Sequence, residues 1–161
     1  MPKISQPIYL IVENIRSMHN VGAFFRTADA FQIDKIFLCG YTAVPPRQEI
    51  TKVALGAEET VVWEQRKDVG RLIRKLKSNG VQVVGLELTE GAADLQTFKP
   101  AFPVALIVGN EVEGIKPATL RLVDKIVKIP MRGSKESLNV SVAAGIALYA
   151  LDLKRQRNTL S

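Results

Sequence analysis

The chain has 161 residues, which is enough for one domain with a buried core but too few for two domains of ordinary size. It carries 22 Lys and Arg residues against 16 Asp and Glu residues, and its formal charge of +6 favours a polyanionic partner. A single cysteine and a single histidine exclude an intramolecular disulfide and a zinc-type ligand cluster. Because no signal peptide or apolar span of bilayer length is present, we expect one cytoplasmic domain over residues 1–161, without membrane attachment or a metal.

The first half of the chain alternates apolar runs with a helical pattern. Residues 8–12 form an unbroken apolar run, typical of a strand buried on both faces of a parallel sheet. From Val21 onward apolar residues recur at helical spacing, and Asn20 is predicted to cap that helix. A second buried strand is predicted at residues 35–39, followed by a loop at 40–52 whose consecutive prolines oppose regular structure.

The second half continues the alternation. A short strand is predicted at residues 60–63, and an amphipathic helix begins near Val69 and ends at Asn79 and Gly80. Its outer face is basic, and this face either is simply solvated or contacts RNA; the residues are Arg71, Arg74, Lys75 and Lys77. The remaining predictions are strands at 82–88, 103–108 and 125–129, a short helix from Pro117 and an apolar helix over 140–151.

This alternation of strands and helices predicts an α/β fold with a mainly parallel sheet, helices on both faces and right-handed crossovers. In such sheets ligands bind beyond the carboxyl ends of the strands. The loops that follow the first, fifth and last of these strands are rich in glycine and polar residues, at 14–28, 109–114 and 130–139. We therefore expect the functional site where these three loops meet.

Several common sites are excluded by spacing. No two glycines are separated by a single residue, so the dinucleotide fingerprint GxGxxG is absent, which disfavours another nucleotide-using Rossmann-like enzyme. The stretch GNEVEGIK has Walker A glycine spacing, but Ile115 replaces the required lysine, and two glutamates would repel phosphates. No GxSxG elbow is present, and the lone His19 has no evident partner for a hydrolytic triad.

For each polar residue in these loops, a purely structural role is the alternative to a functional one. Arg26 falls opposite the apolar stripe of its helix, with Gly22 leaving room one turn earlier, but it could simply pair with Asp29. Ser137 and Asn139 both qualify as N-caps of the apolar helix, so one of them is free for a ligand. Glu111 lies between two glycines directly after a strand and is either functional or a capping carboxylate.

The apolar helix over 140–151 is hydrophobic almost all round and carries several alanines and a glycine that would allow close helix approach. Two explanations remain open for this pattern. The helix is either fully buried within the domain or forms a dimer interface.

Three ordered motifs together resemble the SpoU/TrmH family of RNA ribose methyltransferases, within the SPOUT superfamily. The first resembles NxxxxxRTA at residues 20–28, the second GxExxG at 109–114, and the third IPMxGxxxSLNVSVAxGI at 129–146. The likeness covers nearly the whole chain. Each motif is weak alone, but three in order at the expected separations are a specific signal.

The resemblance implies transfer of a methyl group from S-adenosylmethionine to a ribose 2′-hydroxyl of tRNA or rRNA. It also implies a homodimer, and a Rossmann-like fold with a C-terminal deep trefoil knot, which no residue pattern could predict. Main-chain groups at four matching positions would bind the cofactor: Leu86, Gly109, Ile129 and Leu138. Five positions match the side chains of the family's catalytic motifs: Asn20, Arg26, Glu111, Ser137 and Asn139.

In that family the arginine that matches Arg26 is described as a general base. A guanidinium keeps its proton throughout the working range of proteins, so we expect Arg26 instead to hold the ribose and adjacent phosphate and to stabilise the developing alkoxide. Loop cations beside the motifs are candidate RNA contacts: Arg16, Arg47, Lys52, Arg132 and Lys135. The alternative function is a non-catalytic RNA-binding module of the same fold.

Overall fold

The structure is a computed structural model that describes residues 6–161, and a seven-stranded sheet runs through its centre. The strands are β1 (Ile8–Glu13), β2 (Lys35–Cys39), β3 (Trp63–Arg66), β4 (Gln82–Leu86), β5 (Ala93–Asp94), β6 (Val104–Val108) and β7 (Lys125–Lys128). Their order is β3-β2-β1-β6-β4-β7-β5, and every pairing between these strands is parallel. The predicted parallel α/β fold is confirmed.

Helices cover both faces of this sheet. They are α1 (Met18–Ala30), α2 (Gln48–Ala54), α3 (Ala57–Thr60), α4 (Val69–Ser78), α5 (Pro117–Leu120) and α6 (Val140–Leu160). Leu10 and Val12 point to one face, where they share a core with α1, α2, α3 and α6. Ile11 points to the other face, where it packs with α4, and α5 packs against the same core. Side chains alternate along β1, so this strand contributes to both cores.

The strand order places a crevice between β1 and β6. From β1 the chain continues to β2 and β3 on one side, whereas from β6 it continues to β7 on the other side. The loops that leave these two neighbouring strands therefore diverge, which is the arrangement that opens a ligand site at the carboxyl edge of a parallel sheet. Residues 14–17 and 109–116 form the two walls at this point.

The first helix begins earlier than predicted. The N-cap of α1 is Ser17, whose hydroxyl accepts the N–H of Asn20, and the helix begins at Met18. The prediction of Asn20 as the cap was wrong because Ser17 is equally a residue type that caps helices, and the sequence alone does not show which of the two accepts the free N–H groups. Asn20 therefore lies inside the helix with a side chain that is buried and available for a tertiary contact.

Other boundaries also differ from the prediction. The loop at 40–52 gives way to α2 at Gln48, where Ile50 and Ala54 are buried against α1. The strand predicted at 60–63 lies instead at Trp63–Arg66, because α3 occupies the preceding residues. Both α2 and α3 are too short for a full amphipathic period, so only their tertiary contacts mark them as helices.

The last helix runs nine residues beyond its predicted end at Leu151, and a buried arginine holds that extension. Arg155 is 1% exposed and donates to Asp152 at 2.7 Å, to Asp34 at 3.2 Å and to the carbonyl oxygen of Phe31 at 2.7 Å. These bonds tie α6 to the end of α1 and to the start of β2. They hold α6, which carries the end of the third motif, against α1, which carries the first motif.

Candidate active site

Glu111 joins the two walls of the crevice between β1 and β6. Its carboxylate accepts the backbone N–H of Arg16 at 2.9 Å and that of Ser17 at 2.8 Å, and Asn20 donates its side-chain amide at 3.4 Å. Burial alone would raise the pKa of Glu111. The N–H groups of Arg16, Glu111 and Ser17 and the Asn20 amide outweigh that effect and hold the pKa of this carboxyl below its ordinary value.

Replacing Glu111 by glutamine is expected to lower the free energy of unfolding by about 2 kcal/mol at pH 7, because the N–H groups would lose their charged acceptor. A carboxyl whose pKa is depressed by folding stabilises the protein above its unfolded pKa of about 4.3, and this stabilisation is lost as the pH falls through the lower folded value. The difference between wild type and variant should therefore shrink below about pH 4. Urea unfolding at several pH values measures it.

Glu113→Gln is the matched control for this experiment. Glu113 lies in the same loop and is exposed, and its side chain makes no hydrogen bond or ion pair within residues 6–161. We expect its stability to stay near that of the wild type at every pH. A Glu111→Gln protein as stable as wild type at pH 7 would contradict the bridging role of Glu111.

Asn139, in the third motif, joins the hydrogen-bonded cluster formed by Glu111 and Asn20. Its side-chain amide donates to Asn20 at 3.5 Å, and its side-chain oxygen accepts the N–H groups of Ser141 and Val142 at the start of α6. Asn139 is thus the N-cap of α6, which decides between the two predicted caps. Ser137 is exposed and makes no hydrogen bond among the described residues, so its hydroxyl is free for a ligand.

A cleft opens beside this group, between the loops that follow β4, β6 and β7. Residues from all three loops line it, and the four predicted cofactor positions are among them: Leu86, Gly109, Ile129 and Leu138. Glu111 and Ser137 also line the cleft. The structure therefore brings together six of the nine predicted catalytic and cofactor residues in one place.

Gly109 is required by the packing of its own loop. A Cβ atom at this position would lie 2.4 Å from backbone atoms of Gly114 and Ile115, which no side-chain movement could relieve. Glu87 closes the loop from the other side by accepting the N–H of Ile115 at 3.0 Å. The floor of the cleft at this point therefore consists of main-chain atoms. They are held by close packing at Gly109 and by the hydrogen bond between Ile115 and Glu87.

The chemistry of the cleft suits S-adenosylmethionine. Its walls include apolar side chains such as Val108, Met131 and Val140, against which an adenine ring and a thioether chain could pack. Glu87, Glu111 and Glu113 also line the cleft, and their negative charges complement a sulfonium and an ammonium group.

Arg26 lies away from this cleft within the single chain. It lines a separate surface cleft formed with the α2–α3 turn, including Ala54 and Leu55. Its guanidinium makes no ion pair with Asp29 among the described residues, so the structural alternative for this arginine is not observed. Gly22 leaves room for the backbone of α2, not for the guanidinium, because its Cβ would lie 2.6 Å from the Ile50 carbonyl oxygen.

The five predicted RNA contacts are exposed, and none makes an ion pair within residues 6–161: Arg16, Arg47, Lys52, Arg132 and Lys135. On α4, Lys77 pairs with Asp124 at 3.3 Å, but the other three cations have no such partner in the described part of the chain. The surface therefore offers many cations to a polyanion, and the RNA-facing interpretation of α4 stays open beside the solvated one.

Sequence reasoning missed two asparagines that organise the site. Asn14 has a positive φ of 57° at the end of β1, and its side-chain oxygen accepts the N–H of Tyr41 at 3.2 Å. Asn110 donates to the carbonyl oxygen of Asn14 at 3.0 Å and accepts the N–H groups of Val112 and Glu113. Asparagine within two residues of the end of a buried strand was the available signal, because this residue tolerates left-handed backbone and caps turns.

Two features are absent from residues 6–161. No helix among them is both long enough and apolar enough to cross a membrane. No group of three or more His, Cys, Asp or Glu side chains among them could hold a metal ion.

Comparison with known proteins gives consistent relatives. Residues 7–149 match the model of the SpoU rRNA Methylase family. The chain is 36% identical over 156 residues to the 23S rRNA (guanosine-2'-O-)-methyltransferase RlmB of Ralstonia nicotianae, covering 96% of this chain and 61% of the relative. The RlmB of Shewanella oneidensis is 37% identical over 161 residues, at 99% and 63% coverage. The chain thus spans little more than three fifths of these relatives.

Solved structures agree with the fold. The A. aeolicus TrmH/SpoU tRNA modifying enzyme superposes with a TM-score of 0.87 at 28% identity, covering 98% of this chain and 79% of that one. An AdoMet-bound rRNA methyltransferase from Sinorhizobium meliloti superposes with a TM-score of 0.86 at 30% identity, covering 99% and 59%.

Proposed function

The chain belongs to the SpoU rRNA Methylase family, and from this premise we propose that it transfers a methyl group from S-adenosylmethionine to a ribose 2′-hydroxyl of tRNA or rRNA. One observation carries the proposal. The cleft lined by the four predicted cofactor residues lies directly beside the bonded group of Asn20, Glu111 and Asn139. A binding site for the methyl donor and a polar group able to orient a ribose therefore share one edge of the sheet.

The cofactor supplies a methyl group that its sulfonium has already activated, so the protein mainly has to align the attacking oxygen. The free hydroxyl of Ser137 faces the cleft and would hold a ribose hydroxyl. Asn139 and Asn20 would orient the ribose. Glu111 keeps the loops of the first two motifs in register through the N–H groups of Arg16 and Ser17.

Arg26 is assigned to the cleft of a partner subunit. Within one chain it lines a different surface from Ser137, but it lies on α1, which packs against α6. A second copy that packs on α6 would bring a partner's cleft towards α1. The guanidinium of Arg26 would then bind the ribose and adjacent phosphate and stabilise the alkoxide as the hydroxyl proton passes to solvent water.

The proposed homodimer is supported by an apolar stripe on α6. Val142, Ile146 and Tyr149 are 51%, 42% and 50% exposed, and their spacing puts them on one face of the helix. Large apolar side chains that share one exposed helix face are typical of an interface. This placement combines the two explanations of the apolar helix, with one face buried in the domain and the other available to a partner.

Ile146→Glu is expected to convert the dimer to a monomer, because it places a charge at the centre of the apolar stripe. Light scattering coupled to size exclusion measures the mass. Val62→Glu is the matched control, since Val62 is 58% exposed on the turn before β3, outside the stripe, and should leave the dimer intact. A monomeric wild type, or a dimeric Ile146→Glu protein, would contradict this interface.

The remaining features are proposed on the same premise. The C-terminal knot is one of them, and it is supported by four residues of the segment 129–139 that line the same cleft as the loops after β4 and β6: Ile129, Met131, Ser137 and Leu138. The five loop cations would contact the RNA backbone. We also propose a single domain over residues 1–161 and a cytoplasmic location, where tRNA and rRNA are found.

The test is transfer of labelled methyl groups from S-adenosylmethionine to total tRNA and rRNA, followed by mass-spectrometric mapping of ribose methylation. We expect a 2′-O-methylated nucleoside that depends on the protein. RNA binding without any methyl transfer would overturn the proposal and establish the non-catalytic RNA-binding module. Thermal stabilisation by NAD but not by S-adenosylmethionine would instead support another nucleotide-using enzyme.

A further inference from the structure

Tyr41 is an exposed aromatic residue at the edge of the candidate active site. It follows β2 and Gly40 at the carboxyl edge of the sheet, and 61% of its surface is exposed. Isolated exposed tyrosines are ordinary on protein surfaces. Tyr41 differs from these because hydrogen bonds hold both its backbone and its hydroxyl.

Both ends of Tyr41 are fixed by the asparagines that organise the site. Its backbone N–H donates to the side-chain oxygen of Asn14 at 3.2 Å, and its hydroxyl accepts the side-chain amide of Asn110 at 2.9 Å. The turn before it is tightly packed, because a Cβ atom on Gly40 would lie 1.9 Å from the Asn14 oxygen. The ring is therefore presented to solvent in one orientation, and a partner that binds it has little side-chain entropy left to remove.

The same bonds place the ring beside the catalytic loop. Asn110 immediately precedes Glu111, and its side-chain oxygen accepts the N–H groups of Val112 at 2.8 Å and Glu113 at 2.9 Å. One asparagine thus joins the Tyr41 hydroxyl to the loop that carries Glu111. A group that rests on this ring lies next to whatever enters the crevice between β1 and β6.

We propose that the Tyr41 ring is a stacking platform for an RNA base that neighbours the methylated nucleotide. This inference rests on the proposed function. A ribose 2′-hydroxyl can enter a cleft only where the RNA is splayed, and unpaired bases of such RNA stack on exposed aromatic rings. Arg16, exposed in the loop that precedes the first motif, offers a charge for the phosphate of the same segment.

The test compares Tyr41→Leu with Tyr41→Phe, using fluorescence anisotropy with two probes. One probe is a 12-nucleotide single-stranded RNA of mixed sequence, and the other is an abasic ribose-phosphate chain of the same length. Tyr41→Leu should weaken RNA binding about tenfold and leave abasic binding unchanged, because only the bases can stack. Tyr41→Phe keeps the ring and should stay within about threefold of wild type for RNA.

Two results would overturn the proposal that an RNA base stacks on Tyr41. They are an RNA affinity of Tyr41→Leu equal to that of wild type, and a loss that is equal for both probes, which would indicate a structural defect. Binding of S-adenosylmethionine to Tyr41→Leu, measured by calorimetry, should match wild type because Tyr41 does not line the cofactor cleft. Methyl transfer by the wild type is scored separately, so a wild type that binds RNA but does not methylate it contradicts the proposed function and not the platform.

Discussion

Replacing Arg26 by alanine is expected to lower kcat about a thousandfold while leaving the affinity for S-adenosylmethionine within about twofold. The loss should be large because a charge-assisted donor at the developing alkoxide acts only in the transition state. Cofactor affinity should survive because Arg26 does not line the cleft formed by Gly109, Ile129 and Leu138. Methyl transfer to RNA and calorimetric titration of the cofactor measure the two quantities.

Arg157→Ala is the matched control, since Arg157 is also an exposed helical arginine and lies in the last turn of α6. Its kcat should equal that of the wild type. Arg26→Lys should recover only a small part of the activity, because a lysine keeps the charge but cannot bind ribose and phosphate with two parallel N–H groups. Near-normal turnover by Arg26→Ala would refute the assignment of this residue.

The position of Arg26 allows a sharper experiment with mixed dimers. If the guanidinium acts at the partner's cleft, co-expression of Arg26→Ala with a cofactor-cleft variant assembles one intact site in each mixed dimer. Random pairing would then restore about a quarter of wild-type activity from two inactive proteins. If the guanidinium acts within its own chain, the mixture stays inactive.

Replacing Gly109 by alanine is expected to abolish binding of S-adenosylmethionine, and it supplies the cleft variant for that mixture. The new Cβ atom would lie 2.4 Å from backbone atoms of Gly114 and Ile115, so the loop must move as a whole. Displacing the loop also breaks the register in which Glu111 holds Arg16 and Ser17. We expect a loss of affinity of at least a hundredfold by calorimetry, with methyl transfer falling in parallel.

Gly85→Ala is the control for this substitution. Gly85 is likewise buried at the carboxyl end of a central strand, but its Cβ atom would meet side chains of Ile115 and Leu120 at 3.5 Å, which is ordinary contact. We expect this variant to bind the cofactor normally, with a change in stability below about 1 kcal/mol. Light scattering and circular dichroism should show Gly109→Ala folded and dimeric. If Gly109→Ala binds the cofactor with wild-type affinity, the main chain at Gly109 does not form the floor of the cofactor cleft.

Local patterns predicted most of the fold. The buried apolar runs at Lys35–Cys39 and Val104–Val108 are strands because unbroken apolar sequence is stable where both faces of a parallel sheet are covered. The stripe of α4 and its end before Asn79 followed equally from helical periodicity. The helices α2 and α3 escaped prediction because each is too short to show a period and depends on packing against α1.

The site was less accessible to such reasoning. From the residues alone, Glu111 was either functional or a cap, and only its likeness to a family motif gave it a role. In the structure it bridges two loops, bonding to the N–H groups of Arg16 and Ser17 some 95 residues away in sequence. Pairing over such a separation has no local signature, since it depends on which strands are neighbours.

By itself the sequence determined a parallel α/β domain and located three loops at one edge of its sheet, because periodicity and strand direction are local properties of a chain. Only the tertiary structure decided that Asn139 caps α6 while Ser137 is free, and that Arg26 lies outside the cleft of its own chain. It also decided that Asn14 and Asn110 hold Tyr41 beside the site. These outcomes depend on hydrogen bonds between segments that only the packed sheet brings together.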